Sequence, residues 1–136
     1  MYEFFEHTAD LGLRVHALDP DTLFAEAGRA LFAAIVENPD AVEPRQSVTI
    51  ELSGDDRSYL LFDWLNEWLF RFETEHLLFS RFDVQIHDNG LRGTAWGEPL
   101  DRSRHVLDHE VKAITYHHLR VEPSATGWLA EVIVDI

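Results

Sequence analysis

Two acidic positions near opposite ends of the chain are the first residues whose types could do chemistry. Asp10 lies between two segments with strand-like patterns, and Asp135 precedes the terminal residue Ile136. An aspartate beside the C-terminal carboxylate puts several acidic oxygens close together, and such oxygens suit hard cations better than zinc or copper. Because chain termini often lie near each other, Asp10 could complete a cation site.

The same two aspartates also have a purely structural interpretation. Aspartates are common in turns and helix caps, so Asp10 can be a turn residue and Asp135 can simply end an exposed strand. From the residues alone we favour this structural interpretation. A cation site requires the two ends of the chain to meet in the fold.

Lys112 is the only lysine, and arginine supplies every other basic side chain. Arginine cannot replace lysine where a compact charge or a tunable amine is needed. The segment from Glu110 to Val121 has the pattern of a strand, so we expect Lys112 to lie in the middle of a strand and not on a loop. We therefore favour a specific function for Lys112 over chance survival in a lysine-poor chain.

Five of the eight histidines suggest a zinc hypothesis: His7, His105, His109, His117 and His118. No pair has i,i+4 spacing on a convincing helix, and His117 and His118, as neighbours in a predicted strand, should point to opposite faces. We therefore expect hydrogen-bonded surface or core histidines. The chain has no cysteine, which excludes a thiolate zinc site and a disulfide framework.

The charge balance disfavours direct binding to nucleic acid. The chain has 25 acidic and 11 basic residues, with a formal net charge of -14, and such a field repels polyphosphate. A role in RNA metabolism would more readily involve contact with a basic enzyme, or a bound cation. We expect no stable direct contact with RNA.

Composition and motifs narrow the function further. The chain is 46% hydrophobic and lacks low-complexity segments, as in an ordinary globular domain. It has no secretory-type N-terminal segment and no apolar run of about 18 residues, so we expect cytoplasmic localisation without membrane association. No glycine-rich phosphate loop or nucleophile elbow supports covalent catalysis.

The hydrophobic periodicity predicts two helices among strands. The first helix begins at Asp19-Pro20 and ends by Asn38-Pro39, and the second follows a cap at Asp55 or Asp56. Strands are predicted around residues 2–6, 11–17, 48–52, 82–86, 91–96, 110–121 and 127–135, with a tight turn at Asp88-Asn89-Gly90. This pattern predicts one α+β domain over residues 1–136, a two-layer sandwich of a mainly antiparallel sheet with two helices on one face.

One face of the second predicted helix is polar. It carries Asp63, Asn66 and Glu67, and Arg71 follows Glu67 at the i,i+4 spacing that favours an ion pair. Phe70 falls among these polar positions, so we expect it to be exposed. An exposed aromatic side chain is a modest indication of a partner surface.

Four segments together resemble the archease family. They are His7-Thr8-Ala9-Asp10 with Gly12 after it, Leu61-Phe62-Asp63-Trp64-Leu65-Asn66-Glu67, Glu110-Val111-Lys112-Ala113-Ile114-Thr115-Tyr116-His117, and Asp135-Ile136. Each segment alone is weakly specific. The four occur in the family's order, and the resemblance spans the whole chain.

The resemblance implies a non-catalytic activator of an RtcB-type RNA ligase. Such an activator promotes guanylylation and multiple turnover of the ligase in tRNA splicing or RNA repair. The resemblance also implies a divalent cation at Asp10, Asp135 and Ile136, with calcium expected first and magnesium or manganese as alternatives. Further candidates for activation or partner contact are His7, Asp63, Asn66, Glu67, Phe70 and Lys112.

Two other functions remain open from the sequence. The first is a metal-dependent phosphoesterase built on the same carboxylates, which is disfavoured because the chain offers few ligands and no evident general base. The second is a chaperone or binding module for another RNA-modifying enzyme.

Overall fold

Two α-helices and eight β-strands form the computed structural model, which describes all 136 residues. The helices are α1 (Pro20–Ile35) and α2 (Arg57–Glu75), and a short 3₁₀ helix covers Pro39–Ala41. The strands are β1 (Tyr2–His7), β2 (Asp10–Ala17), β3 (Gln46–Ser53), β4 (Leu77–His87), β5 (Gly90–Pro99), β6 (Ala113–Ile114), β7 (Arg120–Ser124) and β8 (Gly127–Asp135).

The strands form two antiparallel sheets. In the five-stranded sheet, β2 lies between β1 and β8, and both β6 and β7 pair with the other edge of β8. In the three-stranded sheet, β5 lies between β3 and β4. The predicted α+β class with mainly antiparallel strands and two helices is confirmed. The division into two sheets is an addition that the sequence pattern did not reveal.

Both helices begin where their capping residues predict. Asp19 accepts a hydrogen bond from the Thr22 amide at 2.8 Å, and Pro20 occupies the first position of α1. Asp56 caps α2 through the amides of Ser58 and Tyr59. These bonds satisfy amides that have no partner inside the helix. Neither helix is long and apolar enough to cross a membrane.

One continuous cluster of buried hydrophobic side chains connects both helices with both sheets. Trp64 of α2 lies at its centre and is fully buried. Its Nε1 donates to the carbonyl oxygen of Phe24 at 2.9 Å, and its ring covers Gly93, where an added Cβ would approach ring atoms to 2.4 Å. Because α1 contacts both β2 and β4, this core fixes the two sheets relative to each other.

The five-stranded sheet has one apolar and one polar face. On β2, Leu11, Leu13 and Val15 are buried in the core. Side chains alternate along a strand, so Asp10 and Arg14 point to the opposite face, here called the outer face. At the end of β2 the outer face carries Asp10, one of the predicted cation ligands.

The predicted continuous strand over residues 110–121 is wrong. Only Ala113–Ile114 and Arg120–Ser124 are strands, and residues 115–119 form a loop between them. Both short strands pair with the same edge of β8. The predicted strand is therefore interrupted by what we call the 115–119 loop.

The pairing register shows why this loop exists. Ile114 pairs with Val134, whereas Arg120 pairs with Glu131. Between these two pairs the chain advances six residues from Ile114 to Arg120, whereas β8 spans only three residues over the same distance. The extra residues therefore cannot pair with β8 and leave the sheet as a loop. This behaviour resembles a large β-bulge, which re-aims the side chains of the extra residues.

Candidate functional site

Asp10 and Asp135 are direct partners in the five-stranded sheet. They occupy opposed positions at the end of the β2–β8 ladder, and Ile136 follows Asp135 immediately. Directly opposed residues of antiparallel strands place their side chains on the same face. The two carboxylates therefore share the outer face, and the two ends of the chain meet as a cation site would require.

His7 and Ala113 extend this pair into a row across four strands. His7 is the β1 partner of Asp10, and Ala113 is the β6 partner of Asp135. His7 Nδ1 lies 3.6 Å from Asp10 Oδ2, too far for a hydrogen bond. This end of the sheet thus carries an imidazole, two carboxylates and the nearby C-terminal carboxylate.

Lys112 lies beside the same end of the sheet. Its backbone amide donates to the carbonyl oxygen of Asp135 at 2.7 Å. The expectation that Lys112 lies in mid-strand is wrong, because it precedes the two-residue strand β6. Its exposed side chain lines a cleft of about 450 Å³ with Phe72, His76 and Leu107. Lys112 therefore connects the carboxylate pair with the C-terminal end of α2.

The donor set at this end of the sheet fits a hard divalent cation. Asp10 and Asp135 are each partly exposed, so both water and an ion can reach them. Their carboxylates and the terminal carboxylate of Ile136 supply only oxygen atoms. Calcium takes six to eight oxygen ligands, so water or a partner would fill the remaining positions.

The polar face of α2 has the expected exposure. Phe70 is 60% exposed, as predicted, and Asp63 is exposed as well. Glu67 pairs with Arg71 at 3.1 Å, which confirms the predicted i,i+4 ion pair. Asn66 donates its Nδ2 to the carbonyl oxygen of Phe62 at 3.0 Å, so one of its polar groups is already used.

Tyr116 connects the 115–119 loop to α2, a contact that the sequence did not predict. Its ring stacks on Phe62 with centroids 3.8 Å apart, and Tyr59 approaches to 5.2 Å. Desolvation raises the pKa of Tyr116, and the nearby Asp63 and Tyr59 raise it further. Tyr59, Phe62 and Tyr116 thus form an aromatic patch, of which Tyr59 and Tyr116 are more than half exposed.

His105 is a structural histidine, as expected. It is buried, its Nδ1 accepts from the Asp101 amide at 2.9 Å, and its Nε2 lies 3.1 Å from Glu98 Oε2. His109 also has a structural contact, because its Nδ1 lies within hydrogen-bonding distance, 3.3 Å, of the carbonyl oxygen of Ala34.

The expectation for His117 and His118 is wrong. Their rings lie on the same side of the chain, with centroids 4.1 Å apart, and His7 lies 5.3 Å from His117 and 6.0 Å from His118. The physical reason is that both residues belong to the loop and not to a strand. His118 also has a left-handed backbone conformation, with φ of 57°, which abolishes the strand alternation.

Thr115 anchors the loop that carries these histidines. Its backbone amide and its hydroxyl both donate to the carbonyl oxygen of Ile133, at 3.0 and 2.9 Å. The His117 amide in turn donates to Thr115 Oγ1 at 3.3 Å. These contacts hold the start of the loop against β8. The sequence shows two adjacent histidines, His117 and His118, but only the tertiary structure brings them next to His7.

Comparison with protein families gives one match over nearly the whole chain. The model of the Archease protein family matches residues 2–136. A protein archease of Methanopyrus kandleri is 47% identical, and the alignment covers 99% of both chains. A protein archease of Pyrococcus furiosus is 38% identical over 99% of this chain and 98% of its own.

Solved structures show the same fold. The solution structure of a Methanobacterium thermoautotrophicum protein has a TM-score of 0.87 and 37% identity, covering 99% of this chain and 98% of that one. The crystal structure of an archease from Thermotoga maritima, described as a possible chaperone, has a TM-score of 0.69 and 20% identity. It covers 100% of this chain and 98% of the Thermotoga protein. At this identity the Thermotoga protein supports the fold alone.

Proposed function

This chain belongs to the archease family, and we propose that it is a non-catalytic activator of an RtcB-type RNA ligase. In this proposal it promotes guanylylation and multiple turnover of the ligase during tRNA splicing or RNA repair in the cytoplasm. The activator itself makes and breaks no covalent bond.

The meeting of three residues from distant parts of the chain carries the proposal. Asp10 pairs with Asp135 across β2 and β8, and Lys112 donates its backbone amide to Asp135. Each of the three residues matches a segment through which the chain resembles its family. Their convergence at one end of one sheet is what a common functional site requires.

Asp10, Asp135 and the terminal carboxylate of Ile136 would hold a divalent cation, with calcium favoured by the oxygen donors. Such a cation would offset negative charge on phosphate groups at the nucleotide site of the ligase. The sheet contributes preorganisation, since it fixes both aspartates on the outer face before a partner binds. Lys112 would contribute a second positive group from the adjoining cleft against α2 and not from the outer face itself.

Charge and exposed side chains support docking on a basic protein and not on RNA. The net charge of -14 favours association with a positive surface and disfavours polyphosphate. The exposed positions Asp63 and Phe70 of α2 combine an acidic and an aromatic contact. We propose this face of α2, with Asn66 and Glu67, as a contact surface for the ligase.

Multiple-turnover RNA ligation by the cognate ligase, with and without this protein, tests the proposal. We expect the wild-type protein to raise the number of turnovers, and Asp10→Ala and Asp135→Ala to abolish that effect while the far-ultraviolet circular dichroism stays unchanged. Asp83→Ala is the matched control, because Asp83 is an exposed aspartate on the other sheet. Unchanged stimulation by Asp10→Ala would exclude the cation-site mechanism.

The alternative functions give different results in companion assays. A metal-dependent phosphoesterase would hydrolyse nucleotide or phosphoester substrates without any ligase, and this activity would depend on Asp10. A chaperone or binding module for another enzyme would leave ligation unaffected. In that case a pull-down followed by mass spectrometry would recover an enzyme other than the ligase.

A further inference from the structure

We propose that His7, His117 and His118 form a second metal site, one for zinc or a similar transition metal, separate from the carboxylate site. The three residues each present one ring nitrogen, and these nitrogens lie within 4.8 Å of one another. Three imidazoles around an open fourth position are a known zinc coordination set. Nothing in the carboxylate proposal requires His117 or His118.

The distances between the nitrogens are close to those of a bound site. A tetrahedral zinc ion has Zn–N bonds of about 2.0–2.1 Å, which place its nitrogen ligands about 3.4 Å apart. Side-chain rotations that move the rings by about an ångström would reach this spacing. His117 and His118 are exposed, so both rings are free to make that adjustment.

His7 has an unpaired ring nitrogen that faces Asp10, which leaves its other ring nitrogen for a metal. Its Nδ1 is shielded from solvent and has no hydrogen-bond partner, and the nearest carboxylate oxygen, Asp10 Oδ2, is 3.6 Å away. A metal-bound histidine commonly directs its second ring nitrogen to a carboxylate. Asp10 lies where such a carboxylate would be, so His7 is placed to face a metal on one side and Asp10 on the other.

The backbone around the site is arranged to bring the rings together. Two of the three non-glycine residues with positive φ are Ala9 and His118, at 62° and 57°. Ala9 lies in the turn that follows His7, and His118 is itself one of the three histidines. Unfavourable backbone conformations of this kind persist where the surrounding structure over-determines them, and they cluster at functional sites.

The surroundings allow a cation to enter and remain. A cleft of about 520 Å³ is lined by His7 and His118 together with Phe5, Arg14, Arg120 and Glu131. Arg14 and Arg120 share Glu131, and each has a second carboxylate partner, Glu3 for Arg14 and Glu122 for Arg120. Their positive charges are therefore compensated by nearby carboxylates. The negative field of the whole protein further favours cations over anions here.

The two proposed sites differ in the metals that they select. Imidazole nitrogens suit zinc, cobalt, nickel and copper, whereas carboxylate oxygens suit calcium and magnesium. Because His7 faces Asp10, a change at Asp10 would disturb both sites. Asp135 is not in the histidine cluster, so a change at Asp135 separates them.

Cobalt titration of protein expressed without a histidine tag tests the inference. We expect one equivalent of Co²⁺ to give the intense visible absorption of four-coordinate cobalt, and Zn²⁺ to displace it. His117→Asn and His118→Asn should each weaken Co²⁺ binding at least about tenfold. Asparagine is chosen because it tolerates the left-handed conformation of His118, and unchanged melting temperatures would show that the variants fold.

His87→Asn is the matched control, because His87 is an exposed histidine at the end of β4, outside the cluster. It should bind Co²⁺ as the wild type does. Three results would overturn the inference: absence of Co²⁺ binding in the wild type, wild-type affinity in both cluster variants, or a loss of affinity in His87→Asn as large as theirs. Asp135→Asn should lose Ca²⁺ binding and keep the cobalt absorption, so the histidine site can fail or hold independently of the proposed function.

Discussion

Asp10 and Asp135 face each other across β2 and β8 although they lie near opposite ends of the sequence. The antiparallel pairing places both side chains on the outer face of the sheet, and Ile136 adds its carboxylate beside them. Four strands converge at this point, since His7 and Ala113 continue the row on either side.

Moving the terminal carboxylate should weaken calcium binding. Each added residue shifts that group by about 3.3 Å, so a Gly-Ser extension after Ile136 would remove one proposed ligand. We expect the calcium affinity, measured by isothermal titration calorimetry, to fall at least about tenfold. The same extension placed before Met1 is the control, and equal affinities for the two extended proteins would contradict a role for the terminal carboxylate.

Calcium should stabilise the folded protein. A ligand that binds only the folded state adds about 2.7 kcal/mol to the free energy of unfolding at 100 times its Kd. For a chain of 136 residues this corresponds to a rise in Tm of about 9 °C. Differential scanning calorimetry should show this rise, its reversal by a chelator, and its loss in Asp135→Asn. A rise of equal size in that variant would place the calcium elsewhere.

Lys112→Ala and Lys112→Arg should both reduce stimulation of the ligase and leave calcium affinity unchanged. Lys112 contacts Asp135 through its backbone amide, which both variants keep, so only the side chain is tested. Arginine retains the charge but not the compact ammonium group. Multiple-turnover ligation measures the effect, and full stimulation by Lys112→Arg would show that charge alone is sufficient.

The free energy of unfolding should decrease as the pH falls below about 4.5, because the buried carboxylate of Glu98 becomes protonated. Its side chain is buried and accepts hydrogen bonds from Arg104 and from the Glu43 amide, the latter at 2.6 Å, with His105 at 3.1 Å. Although burial by itself raises the pKa of Glu98, these partners outweigh it and lower that pKa from 4.5 to about 2. A lowered pKa stabilises the fold above the unfolded value, and this stabilisation of about 3 kcal/mol is lost as the pH falls from 4.5 towards 2.

Glu98→Gln tests that assignment by urea unfolding at several pH values. The variant should be about 3 kcal/mol less stable at pH 7 and should lose less stability than the wild type between pH 4.5 and 2. Glu51→Gln is the control, because Glu51 pairs with Arg92 at an exposed position and should change stability by less than about 1 kcal/mol. A parallel pH dependence in wild type and Glu98→Gln would mean that other carboxylates are responsible.

Trp64→Phe should destabilise the core without affecting either proposed site. The smaller ring leaves a gap over Gly93 and leaves the Phe24 carbonyl oxygen without the indole donor. Together these losses predict a decrease of about 2–3 kcal/mol in the free energy of unfolding. Chemical denaturation measures it, and cobalt and calcium affinities should remain at wild-type values.

The sequence by itself determined the elements whose signals are local. Asp19 and Asp56 cap the two helices as their positions predict. The β4–β5 hairpin also turns within the predicted Asp88-Asn89-Gly90 segment, with Asp88 and Asn89 in the turn and Gly90 as the first residue of β5. Hydrophobic periodicity identified the buried face of α2, including Trp64. These features depend on residues a few positions apart, so their physical causes lie within the segments themselves.

The tertiary structure alone decided how distant segments meet. The pattern of residues 110–121 suits a strand, but pairing with β8 forces surplus length into the 115–119 loop, and that register cannot be read from the segment alone. The loop in turn directs His117 and His118 towards His7. The meeting of Asp10 with Asp135 has the same origin, because neighbouring strands in a sheet are chosen by the packing of the whole chain and not by local sequence.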